Sequence, residues 1–306
     1  MKRKTVFFLL FTTLITGLQS SCSWLSDSDS QSVKIKRVPP KEPSDAPSTF
    51  QTQHGFRMVL LAAEPLVYDP VVLIYDENGR AYVAEMSDYP YTNKETAHSG
   101  EPQINQDPIG RIRILEDVDG DGLFDKGTVF AEHLSWPTGL ALWKAGVFVA
   151  ATPDIWYFED TDGDRKADIR QKVYTGFRKY NIQAVINNLI WGLDHRIYGA
   201  GGTNGATVRW VDGQGKSPEV QLSRNDFRFD PVTGAFEAIS GGMRFGNTFD
   251  DWGNRFICNI RNPVQHVVLP SHYLARNTYL PVSSVIHDAA ESGDQLPVYP
   301  ISPPEA

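Results

Sequence analysis

The sequence predicts an all-β fold of the propeller class, and three observations predict it. Apolar runs after residue 50 are short, rich in Val, Ile, Tyr, Phe and Trp, and punctuated by Gly, Asp, Asn and Pro, with no sustained helical period. A strand–turn–strand unit recurs four times. The aromatic at one place in each unit, Tyr82, Phe148, Tyr198 and Phe256, returns after 66, 50 and 58 residues, spacings that suit one four-stranded blade per unit with loops of varying length.

The first unit runs from Val72 to Ala84, where Asn78-Gly79 supplies the positive φ angles of a tight hairpin turn. The others run from Gly139 to Ala150, from Asn188 to Ala200 and from Gly246 to Asn259. A sandwich does not require such self-similarity. An aromatic repeated at one position is read as packing between blades, because each sheet must bury its faces against its neighbours. A six-bladed propeller needs on the order of 300–400 folded residues. With four recognisable blades and a proline-rich last stretch that offers no closing strand, the chain reads as an incomplete propeller of the six-bladed type, a truncated product or one piece of a larger protein.

The N-terminus reads as an export signal. Lys2, Arg3 and Lys4 precede an apolar stretch, Thr5 to Leu18, too short to span a membrane comfortably. Leu18-Gln19-Ser20-Ser21-Cys22 resembles a bacterial lipobox, with Gln19 where an aliphatic residue is usual. Either Cys22 is lipidated and tethers the protein to the cell envelope on its periplasmic side, or the signal is cleaved in the ordinary way and the thiol is incidental. Residues 22–49, rich in Ser and Asp and then Pro, read as a solvated tether, and residues 50–306 as the propeller domain.

Charge and cysteine content exclude several classes. A formal net charge of -8, or -11 once residues 1–21 are removed, does not suit neutralising nucleic-acid phosphates. Two cysteines, Cys22 and Cys258, provide no disulfide framework, cysteine-based zinc site or CxxCH haem attachment. The seven histidines lack metal spacing, and His266 and His272 read as surface or core residues. No Gly-x-Ser-x-Gly, P-loop or dinucleotide fingerprint occurs.

Two aspartate clusters carry hard oxygen ligands. Asp117, Asp119, Asp121 and Asp125 alternate around Gly120 and Gly122, a pattern that suits Ca²⁺, although Thr128 stands where an EF-hand has its bidentate Glu. Asp160, Asp162, Asp164 and Asp168 repeat it 43 residues later, with Arg165 in the place of Gly122. The alternative for both is a blade hairpin whose Asp side chains cap backbone N–H groups.

The run Gly110–Phe177, with Asn187–Gly202 and Gly242–Asn259, resembles the propeller of the membrane-bound dehydrogenases of planctomycete and verrucomicrobial bacteria. These are similar to soluble PQQ-dependent glucose and aldose dehydrogenases, and many continue into helical repeats and a cytochrome c-like domain. The resemblance implies an oxidoreductase acting on a sugar or related alcohol with PQQ and Ca²⁺, and a cytochrome c electron acceptor on another domain or chain. Leu189-Ile190-Trp191-Gly192-Leu193-Asp194-His195 resembles the motif that follows the catalytic His of those enzymes, yet Ile182 to Ile186, where that His is expected, contains none. His195 itself falls in a hairpin turn. The Arg-Asn pair that contacts cofactor and substrate is matched by Arg244-Phe245, which keeps the cation and loses the amide.

Polar residues at strand ends facing the central channel form the candidate substrate or cofactor site: Glu85, Asp88 and Tyr89 after the first unit, Asn187 and Asn188 opening the third, and Arg244 before the fourth. Carboxylate, amide and aromatic groups together suit sugar hydroxyls. Alternatively the amides satisfy backbone at blade corners and Arg244 pairs with an acid such as Asp250. The sequence thus predicts an exported, lipid-anchored quinoprotein-like dehydrogenase, or else a non-catalytic propeller that binds glycans or a partner protein.

Overall fold

The computed structural model describes residues 39–89, 108–211, 218–242, 244–277 and 279–289. The signal segment, Cys22 and most of the tether lie outside them. Eighteen strands and very little helix make up these residues.

Blade 1 is a meander of β1 (Pro70–Tyr75), β2 (Ala81–Glu85), β3 (Gly110–Glu116) and β4 (Lys126–Leu134), hydrogen-bonded in that order. Blade 2 repeats it with β5 (Pro137–Trp143), β6 (Gly146–Ala151), β7 (Asp154–Glu159) and β8 (Ile169–Phe177). Blade 3 begins with β9 (Asn187–Trp191) and β10 (Ile197–Ala200). The chain then leaves it for β11 (Ala206–Trp210) and β12 (Val220–Leu222) and returns as β13 (Asp226–Phe229) and β14 (Phe236–Ile239). Blade 4 is β15 (Phe245–Phe249), β16 (Arg255–Cys258), β17 (Gln265–Val267) and β18 (Ile286–Asp288). The first strands β1, β5, β9 and β15 touch one another in succession, which makes them the inner strands of a propeller arc. All four units predicted from the sequence are the first hairpins of these blades.

Two details differ from the expectation. Strands β11 and β12 do not belong to blade 3: β11 pairs with β8, Ala206 opposite Phe177 and Trp210 opposite Tyr174, so they cover the outer edge of blade 2. An uncovered edge strand would present a row of unpaired N–H and C=O groups. The Asn78-Gly79 turn is also not a two-residue hairpin, since only Gly79 has positive φ, at 80°. Asp76 holds a longer loop by accepting from the N–H groups of Asn78 and Arg80. Asp250, Gly253 and Asn254 rebuild the same loop in blade 4.

Three of the four repeat aromatics pack between blades as predicted, and Phe256 instead stacks on His266 within blade 4. Phe148 meets Phe229 of blade 3 at 5.2 Å and Tyr198 meets Phe249 of blade 4 at 5.0 Å. Tyr82 shares a buried cluster with Leu140, Val147 and Phe158 of blade 2. Burying each such ring contributes about 1.5–3 kcal/mol. On the opposite face of blade 1, Val83, Leu115 and Phe124 are covered by Ala62, Leu66 and Val67 from the segment preceding β1.

Candidate functional site

Antiparallel meanders sort the loops by end. The β1–β2 and β3–β4 hairpins of blade 1, and their counterparts in the other blades, lie at one end; the exits of β2, β6, β10 and β16 and the entries to β1, β5, β9 and β15 lie at the other. All six predicted site residues fall at this second end. The aspartate loops and His195 fall at the first. His195, at φ 59°, takes the left-handed turn position that Gly79 and Gly253 take in blades 1 and 4, so it is a turn residue remote from the channel mouth.

At the second end an open cleft of about 1350 Å³ runs along the inner edges of β1 and β9. Apolar side chains of Val71, Leu73, Phe245 and Ile260, all substantially exposed, form much of its wall. Polar groups come from Ser87, Tyr89, Thr138, Gln183, Asn187, Asn188 and Asn259, and one carboxylate from Asp69.

Four predicted residues gather at its rim. Both donors of Asn187 are used, Nδ2 donating to the carbonyls of Val185 and Arg244, both at 3.0 Å, and its Oδ1 accepts from Gly246 N–H at 2.9 Å. Asn188 has φ 53°, a conformation that Asn tolerates better than most residues, and its Oδ1 accepts from both the backbone and the side chain of Asn247 at 2.8 Å. These amides therefore join β9 to β15, as the alternative reading has it, while also lining the cleft. Arg244 donates through Nε to the Gln183 carbonyl at 2.8 Å, not to Asp250. Tyr89 is 48% exposed, with its ring free to meet a ligand.

Glu85 and Asp88 are fully buried and do not line the cleft. Glu85 accepts from Arg113 Nε at 2.6 Å and from Tyr68 N–H at 2.9 Å, and lies 3.0 Å from Arg111 Nε. Asp88 accepts from Trp136 N–H at 3.0 Å. Behind the cleft wall, Lys179 lies 4.7 Å over the Trp136 ring, and burial pushes its ammonium below the ordinary lysine value while Asp88 opposes the shift. A lysine whose folded pKa is depressed makes stability rise with pH between the folded and unfolded values, because the unfolded chain binds more protons there. Lys179→Met should abolish that alkaline gain, read as the difference between urea midpoints at pH 7 and pH 10.

The two aspartate loops share one hydrogen-bond plan. Asp117 accepts from Gly120 and Gly122 N–H, as Asp160 does from Gly163 and Arg165; Asp125 accepts from Val118, as Asp168 does from Thr161. Oxygens of Asp117, Asp119 and Asp125 converge within 4.8 Å, as do those of Asp160, Asp162 and Asp168. Asp121 stands outside its group and accepts from Leu123 N–H. The N–H and hydroxyl of Thr161 hold the Asp168 carboxyl below its ordinary range. Arg165, at φ 71°, also reaches Glu116 of blade 1 at 3.0 Å and ties the loops together.

Sequence reasoning missed Asp69, Thr138, Gln183 and Asn259. Asp69, at φ 42°, was signalled only by the turn-forming Asp69-Pro70 pair.

Blade order, register and cleft together define a β-propeller-type scaffold with a ligand-sized opening at the channel mouth. The chain belongs to the family described as domain of unknown function DUF7133, which it matches over residues 42–305. No curated protein matches it at significance. Similar solved structures include a Trichoderma reesei protein of carbohydrate-active enzyme family AA12, at 15% identity and TM-score 0.40 over 68% of this chain and 47% of that one. The holo PQQ domain of pyranose dehydrogenase from Coprinopsis cinerea stands at 14% and 0.40 over 72% and 48%. A family PL25 ulvan lyase bound to its glycan stands at 11% and 0.33 over 71% and 54%. The chain spans about half the length of these proteins. Likenesses this distant assign nothing to this chain.

Proposed function

We propose that the channel-mouth cleft binds a carbohydrate-like ligand, a sugar or related polyol. The observation that carries this reading is the meeting of exposed apolar wall and neutral polar groups in one open cleft, with Tyr89 and Phe245 as flat surfaces and Gln183, Asn188 and Thr138 among the groups at hand for hydroxyls. Titration calorimetry against a panel of neutral and acidic saccharides tests it. Tyr89→Ala, at an exposed position, should weaken the bound sugar by about tenfold without altering the melting temperature. Absence of saturable binding to any member of the panel would remove the reading.

Arg244 at the rim and the Asp69 carboxylate favour a second reading, in which the same scaffold is a PQQ-type dehydrogenase. Bound PQQ would take up two electrons from the alcohol. Arg244 is the guanidinium that would hold one of its carboxylates, and Asp69 the base within the cleft. Among the described residues, however, the cleft lining has no Lys or Arg, and three cofactor carboxylates would meet Arg244 alone. The donor set therefore suits an uncharged polyol better than the cofactor. PQQ titration followed by dye-linked oxidation separates the two: binding and turnover lost in Arg244→Ala support the dehydrogenase, and sugar binding without either supports recognition alone. The proposal places the chain in the cell envelope on a lipidated Cys22, tethered by residues 22–49 ahead of the propeller domain, with a cytochrome c acceptor only in the dehydrogenase case. Ca²⁺ at Asp117, Asp119 and Asp125 belongs to the same proposal as a clamp on the β3–β4 hairpin, at the opposite end of the blade from the cleft.

A further inference from the structure

Strand register puts two arginines in the seam between blades 3 and 4, at places held by aliphatic or aromatic residues in the preceding blades. The third-strand partner of the repeat aromatic is Ile114 in blade 1, Tyr157 in blade 2 and Arg228 in blade 3. The residue before that aromatic is Ala81, Val147 and Ile197 in blades 1 to 3 and Arg255 in blade 4. Arg255 lies opposite Phe249, whose ring meets that of Tyr198 across the seam. Beside these rings the two blades enclose a cavity of about 360 Å³. Arg228, Arg255 and His266 line it, with His272 and the 55% exposed Tyr273 from the segment after β17 at its mouth.

The wall of this cavity is rich in donors. Arg228 donates through Nε to Glu237 and through Nη1 to Asp194 and Tyr198 Oη, which leaves Nη2 without an acceptor among the described residues. Arg255 donates through Nη1 to the Ser240 carbonyl and through Nη2 to Asp226, and its buried Nε has no acceptor. Each imidazole adds at least one N–H. Asp194, Asp226 and Glu237, and Asp250 close to His266, all lie outside the lining. The first three fix the guanidinium planes, so a guest meets donors already in place. A buried N–H without an acceptor is costly, and an acceptor-rich guest removes that cost.

We propose that this cavity binds a small oxyanion, the carboxylate or phosphate group of a metabolite-sized ligand, with Arg228 and Arg255 as donors and His272 at the mouth. The paired acids leave little net positive charge in the seam, so recognition rests on directed hydrogen bonds to oxygen, and chloride is a poor competitor. No residue of this lining also lines the channel-mouth cleft, so the inference is independent of what the cleft binds.

Titration calorimetry with inorganic phosphate and with succinate, at constant ionic strength in sodium chloride, tests the proposal. At least one probe should bind saturably, and the tighter of the two tells a phosphate site from a carboxylate site. His272→Glu puts a like charge on an exposed residue at the mouth, so it should leave the melting temperature unchanged and weaken binding at least about tenfold. Arg228→Lys keeps the charge and loses the planar fork, and should weaken binding to a similar extent. Tyr89→Ala, in the channel-mouth cleft, should leave it unchanged. No saturable binding of either probe overturns the proposal. So does binding that survives both His272→Glu and Arg228→Lys, or that Tyr89→Ala removes, since the anion would then sit elsewhere.

Discussion

Glu85→Ala is expected to destabilise the protein by about 3–5 kcal/mol, the usual consequence of removing one partner from a buried ion pair. The carboxylate is fully buried between Arg113 and Arg111, and it also satisfies the backbone N–H of Tyr68. Its loss leaves the Arg113 guanidinium, itself only 8% exposed, without its buried partner and frees the segment that covers this face of blade 1. Urea denaturation measures the loss. Glu85→Gln keeps the shape and removes the charge, so it should fall between wild type and Glu85→Ala. If Glu85 instead acted directly on a ligand, Glu85→Gln would abolish sugar binding while the urea midpoint stayed put; the structure requires the opposite order of effects.

Glu85 also marks where the sequence stops being informative. A carboxylate at the exit of an inner hairpin has the same local signature whether it meets a ligand or an arginine in the neighbouring strand, and Arg113 is 28 residues away. The four hairpins were legible because their signals are local: Gly79 and Gly253 at the left-handed turn position and an aromatic at one register place in every second strand. The β11–β12 excursion was not, because Ala206–Trp210 has the composition of any blade strand and only its pairing with β8 assigns it to blade 2. Asn187 and Asn188 were legible as polar groups at the channel mouth, but their bonds to Gly246 and Asn247 depend on two inner strands meeting 59 residues apart. Asp69 escaped notice for the same reason: Asp-Pro reads as a turn, and its place on the cleft follows from the path of β1.

Blade 4 should be the part of the arc most sensitive to a single change, and Asp226→Ala that change. Asp226 is fully buried at the start of β13, where it accepts from Gly201 N–H and forms an ion pair with Arg255 Nη2 of β16. Arg255 is buried enough that desolvation pulls its guanidinium below the ordinary arginine value, with Asp226 opposing the shift. Removing the aspartate strands that cation in the seam between blades 3 and 4, at a cost of about 3–5 kcal/mol. The inner strand of blade 4 stays tied to blade 3 by the Asn187 and Asn188 amides, while the strands beyond it keep the Ser240 bonds, its carbonyl accepting from Arg255 Nη1 and its Oγ donating to the Leu269 carbonyl, so the outer strands should open first. Hydrogen exchange should show protection lost in β16 and β17 well before β5 to β8. The double variant Asp226→Leu/Arg255→Met replaces the pair by apolar groups of similar bulk and should recover most of the loss. If it does not, the hydrogen bonds that the double variant also removes, Gly201 N–H to Asp226 and Arg255 Nη1 to the Ser240 carbonyl, rather than the ion pair, hold the seam.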